Sequence, residues 1–188
     1  MSTSFTPAEA RRAVDLLASP SLIRLVTEID DNGAIAPRRL AGTLPDLSAH
    51  QLRSASDTAR AHGLVRVAPG AGLELTDAGT ELADLYDALA RWARRHSVPA
   101  AVCEFSGRVR HVLGLLAPSL TPENADRPGP LVDVRRISVE GEVELVRART
   151  LLIQWLAGNP QVVGAEPVRA AERSGHTPAR TPPCRAGG

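Results

Sequence analysis

The chain has 188 residues, 43% apolar and 23% charged, with 22 basic against 21 acidic side chains. That gives room for one ordinary domain plus an extension, or for two small ones, with the balance of a soluble globular protein. No apolar run approaches the roughly 20 residues of a membrane span. Cys103 and Cys184 are the only cysteines, so there is no disulfide framework.

The opening MSTSFTPAEARR lacks the apolar core of a signal peptide, which predicts a cytoplasmic protein. TPAEARRAVDLLAS predicts a first helix, with Pro7 in its first turn after Thr6 and an apolar stripe of Ala10, Val14, Leu17 and Ala18. SPSLIRLVTEIDDNG restarts the pattern. Ser19 is the cap, Pro20 the first helical residue, and Leu22, Ile23, Val26 and Ile29 the stripe, with Asn32-Gly33 as the stop. AIA is long enough only for one short strand, and PRRLAGTLP predicts a short helix closed by Pro45.

LPDLSAHQLRSASDTARAHGLV predicts a helix over 48–62 capped by Ser48. Leu52, Ala55 and Ala59 share one face with Ser56 beside them. His50, Ser54 and Asp57 lie opposite, flanked by Gln51 and Arg53. LVRVAPGAGLELT predicts a hairpin turning at Pro69-Gly70-Ala71-Gly72. TDAGTELADLYDALARWARRH predicts a long helix with Leu82, Leu85, Leu89 and Trp92 inward. Its acids gather near the start and Arg94, Arg95 and His96 near the end, in keeping with the helix dipole.

In the second half, AAVCEFSGRVRHVLGLLAPSL predicts a helix with Val102, Phe105, Val109, Val112 and Leu116 on one side. TPENADRPGP reads as a loop and LVDVRRISV as a strand. EGEVELVRARTLLIQWLAGNP predicts a helix with Val146, Leu152, Trp155 and Leu156 apolar, stopped by Gly158 and Pro160. From Gly164 on, periodicity vanishes and a disordered tail is expected. AVDLLASPSL (13–22) is echoed by HVLGLLAPSL (111–120), and ALARWARRH (88–96) by TLLIQWLAGN (150–159). A truncated internal copy and chance both account for these echoes.

Charge is unevenly placed. Residues 36–66 carry Arg38, Arg39, Arg53, Arg60 and Arg66 against Asp46 and Asp57, whereas 67–90 carry Glu74, Asp77, Glu81, Asp84 and Asp87 and no base. Such an asymmetry makes an oriented field suited to a local phosphate contact. All the basic residues are arginines, most simply a bias toward GC-rich codons. The five histidines show no paired metal-ligand spacing and neither cysteine lies in a C-x-x-C, so no metal and no cofactor are expected. Cys103 reads as a small buried hydrophobe, with a thiol sensor as the alternative. No nucleophile constellation is present, so an enzyme is not expected.

The element order, four helices interrupted by a short strand and followed by a hairpin and a long helix, is that of a winged helix-turn-helix. Leu40, Leu44-Pro45, Leu47-Ser48, Leu52, Gly63-Leu64-Val65, Leu75-Thr76, Ala78-Gly79 and Arg91-Trp92 fall on the framework of the HxlR-type regulators. The chain resembles that family from about Ala8 to His96. It departs at Ser56 and Ala59, where the family tends to have leucines, and at Ser21, where it has a Trp. The turn between the strands is shorter and uncharged, and the family's N-terminal cysteine is absent.

The expected fold is therefore mainly α with a small β-wing. A winged helix-turn-helix domain over 1–97 is followed by a helical extension over 98–163 and a tail over 164–188. The expected function is a dimeric DNA-binding transcriptional regulator on a palindromic operator, with double-stranded DNA as partner and no membrane. In the helix 48–62, Arg53 would chelate a guanine edge and Gln51 an adenine, with His50 and Ser54 reaching bases or phosphates. Arg38 and Arg39 on the preceding helix would hold the backbone, and Ser48 and Arg66 are expected among the DNA-binding residues. The first helix and the helix 77–96 are the natural surface for a second copy. The alternative is a winged-helix module for protein interaction or dimerisation that does not read DNA.

Overall fold

The computed structural model describes residues 5–96, 104–120 and 138–164. Expectations for Val102, Cys103, the strand at 131–137 and the tail beyond Gly164 lie outside these. The molecule is mainly helical, with one two-stranded antiparallel sheet among the described residues.

Helix α1 (Pro7–Leu17) opens on a reciprocal cap: Thr6 Oγ1 accepts the Glu9 N–H, and the Glu9 carboxylate accepts the Thr6 N–H. The Thr6 N–H, and after it the Thr6 hydroxyl donating to the same carboxylate, hold the Glu9 carboxyl below its ordinary range. α2 (Pro20–Asn32) is capped by Ser19 and ended by Gly33, whose φ of 78° favours glycine. A single helical turn, α3 (Leu40–Thr43), precedes α4 (Ala49–Ala61). The hairpin pairs β1 (Val65–Ala68) with β2 (Gly72–Leu75), Val65 opposite Leu75 and Ala68 opposite Gly72. Ile35 adds an isolated antiparallel bridge on the other edge of β2 by exchanging two 2.9 Å backbone bonds with Leu73, so AIA does reach the sheet. Gly72 is required there: its φ is 111°, and a Cβ would run into the Ile35 carbonyl.

α5 (Asp77–His96) starts where Thr76 ties the end of the hairpin to the helix. Thr76 N–H donates to Leu64 O (3.0 Å), its hydroxyl donates to Gly63 O (2.6 Å), and its Oγ1 accepts the Gly79 N–H. A side chain at Gly79 would collide with the Leu64 carbonyl. Thr76 and Gly79 thus fix how α5 leaves the hairpin.

The second half folds back over the first. α6 (Phe105–Leu116) and α7 (Val139–Gly158) pack on α5, and α8 (Pro160–Gly164) packs on α1. α5 and α7 run antiparallel, clamped at both ends by tryptophan. Trp92 Nε1 donates to Gly141 O at 2.9 Å, and Trp155 Nε1 donates to Ala78 O at 3.1 Å. His96 and Arg95 meet Glu144 at the Trp92 end, at 3.0 and 3.5 Å. One cluster of buried side chains holds residues from both sides of residue 97, including the fully buried Tyr86, which donates to Leu17 O; burial pushes the Tyr86 phenol far up.

Four expectations change. The apolar faces of α1 and α5, read as the surface for a second copy, are filled by α6, α7 and α8 of the same chain. Pro160 does not merely stop a helix: α7 ends at Gly158 and Pro160 opens α8, its ring suited to a first turn. Val139, read as the end of a strand, begins α7 because Ser138 supplies a cap. Val146, grouped with the apolar residues of that helix, points outward and is 61% exposed. The echoed segments also diverge. Ser19 caps α2, but its counterpart Ala117 has no oxygen to cap with, and residues Ala117–Leu120 form only a 3-10 turn.

Candidate nucleic-acid interface

α4 rests on α2 and β1 through Leu52, Ala55 and Ala59, all nearly inaccessible. The small side chains of Ala55 and Ala59, both buried, let the helix approach closely. Ser56 lies on the same side, and its hydroxyl is buried without a hydrogen-bond partner. Its orphan oxygen weakens that contact by about 1–3 kcal/mol.

The opposite face is open. His50, Arg53, Ser54, Asp57 and Arg60 are exposed, and no element of the second half packs across them among the described contacts. Asp57 makes no ion pair with Arg53 or Arg60 among the described residues. The face therefore presents two guanidinium groups unpaired among the described residues, an imidazole, a hydroxyl and a carboxylate. Arg60 belongs to this face although it was not among the expected contacts; its helical position beside Arg53 and Asp57 carries the signal.

Ser48 and Gln51 have a prior engagement. Ser48 Oγ accepts the Gln51 N–H at 3.3 Å, and Gln51 Oε1 accepts the Ser48 N–H at 2.8 Å, closing a capping box. A bidentate contact to adenine needs the amide oxygen and nitrogen of Gln51 together; here the oxygen is held by the helix start, leaving the amide nitrogen to donate.

Arg38 and Arg39 stand ahead of α3 rather than on it. Pro37 opens a turn in which the Arg39 N–H donates to Ala36 O at 2.8 Å, and the helix starts at Leu40. Both side chains are exposed. Arg66 lies on β1 with its Nε bonded to Glu74 Oε1 across the hairpin at 2.6 Å. That carboxylate offsets part of the charge that Arg66, expected among the DNA-binding residues, would bring.

Two positioning contacts carried no sequence signal, because their partners are far apart in the chain. Arg24 on α2 bonds Asp46 at 3.1 Å, anchoring the segment that leads into α4; Arg24 holds the Asp46 carboxyl below its usual range. At the other end of α4, the His62 ring contacts Gln161 O at 3.1 Å, and Gln161 Nε2 donates to His62 O at 3.2 Å. α8 thereby grips the last turn of the polar helix.

Elsewhere the charge reverses. Asp84, Asp31 and Asp87, together with partial burial, raise the Asp30 carboxyl above its ordinary value, burial being the larger cause. This acidic side repels polyanions and orients the molecule toward them by its other side. Among the described residues, no group of three or more His, Cys, Asp or Glu is placed to hold a metal ion, and no helix is long and apolar enough to cross a membrane. No family model matches the chain, and no curated protein or solved structure matches it.

Proposed function

We propose that the protein is a DNA-binding transcriptional regulator of winged helix-turn-helix type, similar to the HxlR-type family, acting in the cytoplasm. The observation that carries this reading is the bare polar face of α4, with Arg53 and Arg60 unpaired on a helix that small residues hold close to its support. A helix of that kind fits the major groove, where each base pair presents a distinct pattern of donors and acceptors. Arg53 takes a guanine edge. His50, Ser54 and the free amide nitrogen of Gln51 reach neighbouring bases or phosphates, and Arg38 and Arg39 hold the backbone ahead of α4. Two copies on a palindromic operator multiply an affinity that a net charge of +1 keeps modest.

Selection of bound fragments from random duplex DNA tests this, followed by titration of the selected site at several salt concentrations. Salt-dependent binding to a defined motif is expected. Binding that is absent, or equal for all sequences in both parent and Arg53→Ala, would refute it.

The Arg66–Glu74 pair and the uncharged turn Pro69-Gly70-Ala71 support a second reading, a protein-interaction module on the same fold. In that case duplex DNA produces no salt-dependent shift at all.

A further inference from the structure

α7 is apolar on two sides. Gly141, Ala148 and Trp155, seven residues apart, are buried against the rest of the chain. On the outward side Val139, Val143, Val146 and Thr150 follow one another at steps of four, three and four, the spacing of a helix-pairing seam, which Ala157 continues beyond Ile153, itself partly buried against the core. Val139 is 79% exposed, Val143 66% and Val146 61%. Thr150 turns its hydroxyl back to Val146 O at 3.0 Å, so that its polar end is already satisfied. Valines in such number do not stay in water without cause.

The seam's edges carry the second observation. Glu140 and Arg147 lie along one edge, Glu142 and Arg149 along the other, acids toward the helix start and bases toward its middle. None of the four has an ion-pair partner among the described residues, and Arg149 Nε is buried without any hydrogen-bond partner.

We infer that α7 is the interface with a second copy of this chain, paired antiparallel about a twofold axis between Glu144 and Leu145. In that register Val143 meets the second copy's Val146, and Val139 meets its Thr150. Glu140 then faces the second copy's Arg147, and Glu142 its Arg149, so each of the four edge charges meets its opposite. A twofold contact must be self-complementary, and this sequence is. A parallel pair brings only Glu142 beside Arg147 and sets Arg149 against Gln154, which is why the antiparallel form is favoured. One helix pair lies at the small end of stable interfaces, which bury about 800 Å² per partner, so dimerisation is concentration-dependent. The pairing stands without the DNA reading. Its consequence, two α4 helices related as inverted half-sites, rests on it.

Sedimentation velocity on the full chain over a range of concentrations is the test. A monomer–dimer equilibrium with a dissociation constant in the micromolar range is expected. Val143→Glu with Val146→Glu, both at exposed positions, should give a monomer with unchanged helical content and melting temperature. Arg147→Glu should weaken the dimer at least tenfold, and adding Glu140→Arg should restore it. A parent that stays monomeric to about 100 μM, or a dimer that survives both glutamates, overturns the proposal; either result leaves the seam to another segment or partner. The two proposals fail separately. The glutamate variants should keep binding a half-site duplex and lose only the advantage of a palindrome. A dimer that ignores DNA sinks the reading of α4 and leaves the α7 pairing intact.

Discussion

α4 and α7 are both surface helices, yet they show water opposite chemistries. The outer face of α4 is His, Arg, Ser and Asp over a thin support of Leu52, Ala55 and Ala59. The outer face of α7 is valine, over an inner face already anchored by two tryptophan bonds. A bare polar face with unpaired arginines suits a charged, hydrogen-bonding partner such as duplex DNA. A bare apolar seam edged by self-complementary charge suits another protein surface. If both proposals hold, the contrast separates a helix that reads from a helix that assembles, within one continuous core.

The sharpest way to break the contrast is to detach α7 from its own chain. Trp92→Ala removes a nearly buried indole and its bond to Gly141 O, and should cost about 3–5 kcal/mol in denaturant unfolding. If unfolding is unaffected, α7 is not held as described. Next in size is the reading face. Arg53→Ala should weaken binding to the selected site by about 1–3 kcal/mol and relax its sequence preference, whereas Arg39→Ala should weaken all sequences alike and lower the salt slope by about 1. Equal behaviour of the two variants would remove the distinction between base and backbone contacts.

A smaller effect sharpens the account of how α4 is supported. Ser56→Ala removes the orphan hydroxyl and should raise stability by about 1 kcal/mol in thermal or chemical melts, leaving DNA affinity unchanged. Loss of stability would mean that the hydroxyl has a partner. The smallest effect concerns the acidic side. Because the Asp30 carboxyl is raised in the folded state, its contribution to stability is fully present below the unfolded carboxylate value and is lost as pH rises through the folded one. Asp30→Asn should therefore melt slightly higher than the parent at neutral pH, and the difference should vanish below about pH 4. Persistence of the gap in acid would point to a cause other than ionisation.

The local signals proved readable for physical reasons that act within a few residues. Thr6, Ser19 and Ser48 mark helix starts because a side-chain oxygen satisfies N–H groups three residues on. Gly33 stops α2 because the chain there adopts a positive φ. The polar outer face of α4 was legible from periodicity alone. The prior engagement of Gln51 was legible too, since S-x-x-Q is a capping pattern, although its cost to base reading follows only from the bond actually formed. Arg38 and Arg39 lie outside the short helix, because the Arg39 N–H closes a turn on Ala36 O and helical bonding starts only at Leu40.

What the sequence determined by itself was the run of helices from α1 to α5 with the hairpin, the starts of α1, α2 and α4, and the polar face of α4, since these depend on spacing along the chain. What only the tertiary structure decided was which apolar faces meet. Nothing local says that α6, α7 and α8 fill the faces of α1 and α5, that Gln161 grips His62, or that α7 turns Val143 and Val146 outward. Burial is non-directional and any apolar stripe can satisfy any other. The choice among them is made by close packing and by a few specific bonds between distant residues, here the two tryptophan donors at either end of the α5–α7 pair.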